Sequence, residues 1–160
     1  MEKVYSITPI LKYLKYYIPG FTSILFIVML LMGENYPTYF FIGFSLFIIV
    51  GDIIFPRDKE IKLFSYPSLL NSSIYINLPI LFILVLLVVS IFSNNLSQWY
   101  IEFLDSYFYI DFMQIKNSFN SIDKISLIIQ TALFFGILGT VPGHELTHRK
   151  QNKFDMFIGN

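Results

Sequence analysis

The sequence predicts an all-α integral membrane protein of about four transmembrane helices, with a histidine motif on the cytoplasmic side. Three observations carry that class. Apolar residues make up 55% of the 160 positions and aromatic residues 19%, against only 14% charged; this is more apolar than a soluble domain and too weakly charged for a disordered chain. The apolar residues gather into four runs near the length of about 20 residues that a helix needs to cross the hydrocarbon core. Lysine and arginine fall unevenly among the segments between the runs, as a fixed orientation in the bilayer requires. The chain, 1–160, reads as one membrane domain without internal repeats. Its formal net charge is zero, so nothing points to nucleic acid, and the absence of cysteine excludes disulfides and thiolate metal ligands.

The first run, IPGFTSILFIVMLLMG from Ile18 to Gly33, is short for a bilayer, and Tyr16 and Tyr17 extend it to headgroup depth as interfacial anchors. An arm with Lys3, Lys12 and Lys15 precedes it. The run ends in Met32, Gly33, Glu34 and Asn35 and not in the small residues of a cleavage site, so it is read as an uncleaved span. Glu34, Asn35, Tyr36 and Pro37 form a turn, because proline cannot continue a helix. The second run, Thr38 to Phe55, then pairs with the first as a tight antiparallel hairpin. Asp52, beside Gly51 near its end, is read as a helix-end carboxylate facing water and Arg57; an intramembrane functional carboxylate is the other reading.

The segment Pro56 to Ser73 is polar and basic, with Arg57, Lys59 and Lys62. The third run, Ile74 to Phe92, is uncharged, and Pro79 is expected in its first turns, where a missing amide proton does least harm. From Ser93 to Asp123 the chain interleaves Glu102, Asp105 and Asp111 with Trp99, Tyr100, Phe103, Tyr107, Phe108, Tyr109 and Phe112. That mixture predicts an interfacial segment with rings at headgroup depth and carboxylates in water; a lid over a substrate path is the functional alternative. The fourth run, Ile125 to Val141, leads through Gly139 and Thr140 to Pro142 and Gly143, where a kink or break is expected. A new apolar start, Phe154 to Ile158, follows Arg149, Lys150 and Lys153, and the chain is read as the front part of a longer protein.

Counting Lys and Arg sets the orientation. Three lie in the N-terminal arm, three after the second run and three in the tail, while only Lys116 and Lys124 lie on the other side. Both ends and the histidine motif are therefore expected in the cytoplasm, as an even number of spans requires, with the protein in the inner or plasma membrane if bacterial.

That motif is His144, Glu145, Leu146, Thr147 and His148, which holds the only two histidines in the sequence. On a helix, residues four apart share a face with Cβ atoms about 6 Å apart, so both imidazoles reach one ion or two adjacent ions. The bland alternative is a pair that is solvated or hydrogen-bonded to neighbours. A metal site needs at least a third donor, and without cysteine it must be a carboxylate or another histidine. Read literally, HELTH is also the HExxH pattern of zinc proteases, with His144 and His148 as ligands and Glu145 as general base. The downstream acid Asp155, seven residues past His148, is expected to lie too close to fold back as the third ligand.

The stretch GHELTHRK, from Gly143 to Lys150, closely resembles the first histidine box of the membrane-bound alkane monooxygenase and fatty acid desaturase superfamily. The resemblance extends in order over a tight hairpin, a Gly51-Asp52 pair followed by Pro56, Arg57 and Asp58, a third span, and a fourth span leading into the histidines. It implies the first half of a desaturase-like domain and a non-haem enzyme with two iron ions held mostly by histidines. His144 and His148 would be iron ligands, and Glu145 would orient a ligand histidine or a water. The four spans would enclose part of an apolar channel, lined by Phe and Leu, for an alkyl or acyl chain whose unactivated C–H bond is oxidised by hydroxylation or desaturation. Electrons would come from a donor such as rubredoxin or ferredoxin, docked on the basic cytoplasmic loops; those charges serve equally to set orientation. The later histidine boxes are not among these 160 residues, so the chain alone is expected to be inactive. Two other readings stay open, a zinc protease and a non-catalytic membrane remnant, and the bound metal (iron, zinc or none) separates the three.

Overall fold

A computed structural model describes residues 13–54, 67–148, 153 and 155. Among them every regular element is helical: α1 (Ile18–Met32), α2 (Tyr36–Ile54), α3 (Pro67–Phe92), α4 (Gln98–Phe108), α5 (Phe112–Ser118), α6 (Ser121–Phe134), a π-helical segment (Phe135–Thr140) and α7 (Val141–Thr147). The last three run on without interruption as one 27-residue helix, Ser121–Thr147. This helix, α2 and Ser68–Phe92 of α3 are each long and apolar enough to cross a membrane. α1 is apolar but has 15 residues, about 22 Å at 1.5 Å per residue.

Side-chain contacts set the direction of each helix. Tyr17, just before α1, donates its hydroxyl to the Leu69 carbonyl at 2.8 Å and lies 2.5 Å from Ser72 Oγ. The starts of α1 and α3 therefore lie together. At the far end Thr38, in the first turn of α2, bonds both Asp123 and Ser126 in the first turns of α6. α1 and α3 run one way, α2 and α6 the other, and the end that holds Tyr17 also holds α7 and its histidines. α1 and α6 pack against each other, and α2 and α3 each pack against that pair.

The turn between α1 and α2 shows why Gly33 stands where it does. Its φ is +74°, a region open to glycine without steric cost, and a methyl group there would come within 2.9 Å of Ser118 Oγ. The Glu34 amide uses that space to donate to Ser118 Oγ at 2.7 Å, and the Asn120 amide donates to Asn35 Oδ1 at 3.1 Å. Pro37 then sits in the first turn of α2, where no amide proton is needed.

Four expectations change in detail. α3 begins at Pro67, seven residues before the apolar run, so Pro79 lies inside the helix and not in its first turns. Ser72 and Ser73 turn their hydroxyls back onto the carbonyls of Leu69 and Leu70, which satisfies polar groups that otherwise favour a loop. The irregularity expected at Pro142 appears one turn earlier, as the π-helical segment, and Pro142 occupies the opening positions of α7. The stretch after Ser93 folds into α4 and α5 beside the far end of the bundle. Its rings are exposed at Trp99, Tyr107 and Tyr109, while Leu104 and Phe112 are buried in the core. Two of its carboxylates do structural work: Asp105 accepts from the Phe112 amide at 2.9 Å, and Asp111 caps α5 through the Gln114 amide at 2.8 Å. The Pro56, Arg57 and Asp58 segment and the pair Arg149 and Lys150 lie outside the described residues, and Asp52 is exposed.

The core is a stack of Phe and Leu. Phe26, Leu30, Leu84, Leu127, Phe134 and Leu138 are fully buried, and Phe26, Phe40, Phe44 and Phe134 form a ring cluster with centroids 5.2 to 5.8 Å apart. Outside it the large apolar side chains face outward. Pro37 is the only buried residue of α2, whereas Ile42, Leu46, Phe47, Ile49 and Ile53 are exposed. A helix so apolar and so little covered by protein matches a lipid environment.

Candidate metal centre

The histidines sit on α7, at the end of the long helix. Leu146 is fully buried, and at about 100° per residue it lies about 200° round the helix from both His144 and His148. Burying Leu146 therefore turns both imidazoles outward, and both residues are exposed. Their ring centroids are 4.6 Å apart with the planes tilted by 38°. The last turn is held by Thr147 Oγ1, which donates to the His144 carbonyl at 2.7 Å, and by the His148 amide, which donates to the Glu145 carbonyl at 3.2 Å. The sequence-predicted pair is thus brought together on one face, with nitrogen donors close enough to share an ion or to serve two adjacent ones.

Glu145 does not share that face. It is exposed and lines a cavity of about 420 Å³ between the approach to α1, the first turns of α3, the π-helical segment and α7. No third histidine or carboxylate joins the histidines into a metal-sized group among the described residues. Asp155, the nearest downstream acid, is helical and buried, and its carboxylate accepts a hydrogen bond from the Tyr75 hydroxyl on α3. It is thereby held against α3 by a contact that the linear spacing does not reveal.

The π-helical segment spaces the histidines from the core. It carries Gly136 and Gly139, and at Gly139 an added methyl group would meet Leu81 Cδ2 at 2.8 Å, so the glycine lets this stretch approach α3 closely. Wider hydrogen-bonded turns of this kind occur mostly as local insertions in α-helices and often beside functional sites.

Two features of the interior carry polar groups that the apolar runs hide. Asp123 is buried and anchors the start of α6: Asn120 Oδ1 accepts from the Ile122 and Asp123 amides, the Asn120 amide donates to Asp123 Oδ2 at 3.1 Å, and Thr38 donates to Asp123 Oδ1. The capping-box spacing of Asn120 and Asp123 was the available signal. Gln130, two turns on and fully buried, has no hydrogen-bond partner for either amide atom among the described residues. Compared with protein-family models, with curated proteins and with solved structures, the chain gave no match.

Proposed function

We propose that this chain carries metal ligands of a membrane non-haem di-iron oxygenase, of the alkane hydroxylase or fatty acid desaturase type, acting on an alkyl or acyl chain in the bilayer. One observation carries the reading: two exposed imidazoles, 4.6 Å apart at their centroids, on one face at the end of an apolar helix. Neutral imidazole is a suitable donor for iron, and the fixed position of Leu146 orients both rings without help from the metal. The two histidines fit as part of a ligand set, which needs further donors to be complete. Bound iron would supply the activation of oxygen needed to oxidise an unactivated C–H bond.

The chain's own residues have separable tasks in this reading. His144 and His148 hold metal, and Glu145, next to a ligand, orients a water or a ligand histidine. An apolar groove of about 650 Å³ between α3 and α6, lined by Val85, Val88, Phe92, Ile128, Ala132 and Phe135, offers room for an alkyl chain. It lies on the same continuous helix as the histidines, about nine residues or roughly 13 Å from them along the axis. α1 counts as the fourth crossing, and the histidine end, which carries Lys15, faces the cytoplasm, where a donor such as rubredoxin or ferredoxin delivers electrons.

The test uses the protein in its native membrane, with a deuterated linear alkane or acyl chain supplied and extracted lipids analysed by mass spectrometry. A hydroxylated or unsaturated product that disappears in both His144→Ala and His148→Ala supports the reading. Product formation unchanged in either variant refutes the ligand assignment. Cleavage of a membrane peptide in place of lipid oxidation establishes the zinc protease reading of the same motif.

A further inference from the structure

The groove between α3 and α6 is walled by apolar side chains except at Ser93 and Thr131. Among the described residues, the enclosed side-chain atoms that lack a hydrogen-bond partner are both ends of the Gln130 amide and Thr131 Oγ1. Of these two neighbours on α6, Thr131 is the one that lines the groove. A threonine inside a helix commonly turns its hydroxyl onto a carbonyl three or four residues back. Thr22 does so onto Ile18 and Pro19, and Thr147 onto His144. Thr131 makes no such bond among the described residues.

The two branches of a threonine side chain, methyl and hydroxyl, exchange places by a step of χ1. Against a purely hydrocarbon ligand the Thr131 hydroxyl gains nothing by turning to the groove. Against an acceptor oxygen it makes the hydrogen bond that it lacks in the wall, where an enclosed unpaired hydroxyl is unfavourable. We infer that Thr131 is a specificity-determining residue, selecting an acyl ester, whose carbonyl accepts that bond, over a plain alkane. The inference rests on the reading of the groove as the place of the oxidised chain. Thr131 stands thirteen residues before His144, about 20 Å along the helix axis. The ester end therefore lies toward Ser93 and the far end of the bundle, and the hydrocarbon end runs toward the histidines.

The full chain in maltoside micelles is mixed with equal amounts of deuterated methyl hexadecanoate and octadecane, which have the same number of atoms in line. Ligand retained after rapid gel filtration is measured by mass spectrometry, relative to protein-free micelles. The ester is expected to be retained about fivefold over the alkane, the worth of one neutral hydrogen bond. Thr131→Val keeps the shape and removes the hydroxyl, so it brings the two ligands to equal retention; Thr131→Ser keeps the preference. Gln130→Leu, which also removes an enclosed polar group but lies off the groove, leaves the preference unchanged. Equal retention by the unaltered protein overturns the role of Thr131 while leaving the groove as a chain site. A preference that survives Thr131→Val, is lost in Thr131→Ser or is lost in Gln130→Leu also overturns that role. Retention of neither ligand overturns the groove reading itself.

Discussion

Phe134→Ala removes the ring at which α1, α2 and α6 meet. The ring is fully buried, 5.8 Å from Phe26 and 5.6 Å from Phe44 between centroids. Each aromatic pair contributes about 0.5–1.5 kcal/mol beyond its area, so the two together are worth about 2 kcal/mol. The void adds a cavity cost of about 2 kcal/mol, the lower part of the range for large-to-small core changes. No larger figure is warranted, because lipid tails are as apolar as the core and the water-transfer part of the usual cost falls away. The expected loss is therefore about 4 kcal/mol. Its control is the next residue: Phe135 is 53% exposed and lines the open groove, where lipid replaces the ring, so Phe135→Ala is expected to change stability by less than about 0.5 kcal/mol. Unfolding in mixed micelles with rising dodecyl sulfate, followed by helical circular dichroism, measures both. Equal losses for the two variants would refute the assignment of inward and outward faces to the long helix.

Three further outcomes follow from the interior and the far end. Asp123→Ala removes the capping box of α6 and the Thr38 contact, and is expected to cost about 2–4 kcal/mol in the same assay; a change near zero would contradict the buried anchor. Gln130→Leu replaces an amide without a partner among the described residues by an apolar side chain of similar size, and is expected to leave stability unchanged or raise it by about 1 kcal/mol, whereas a large loss would reveal a partner for the amide. Trp99, the single tryptophan and 70% exposed at the start of α4, is expected to be quenched most strongly by lipids labelled near the headgroup; strongest quenching by labels at the bilayer centre would place α4 elsewhere.

Local chemistry in the sequence reaches some of this architecture and not the rest. The hairpin was legible because so short a link leaves room only for antiparallel neighbours. Tyr36 and Pro37, expected in the turn, open α2 instead, and the positive φ of Gly33 supplies a part of the turn that the linear sequence did not reveal. The start of α3 was not, since PSLLNSS reads as a polar linker until Tyr17 and the backward-bonding serines are in place. The π-helical segment leaves no mark in a run that is apolar on every side. Asp105 and Asp111 read as solvated charges in an interfacial stretch, and only the fold shows the helix start that they cap. At the candidate site the histidine spacing was sufficient to place both rings on one face. What spacing could not reveal was that Leu146 turns them outward, that Asp155 is held by Tyr75, and that Asn77, a lone amide in an apolar run, opens into a cavity with Lys15 and Glu145.

The central claim, that His144 and His148 hold iron, is tested most directly by metal analysis of the protein isolated without oxygen from its native membrane. The account predicts iron in stoichiometric amount, lost when either histidine is replaced by alanine while the helical content is retained. Zinc at that position, or iron that persists in both variants, would contradict it.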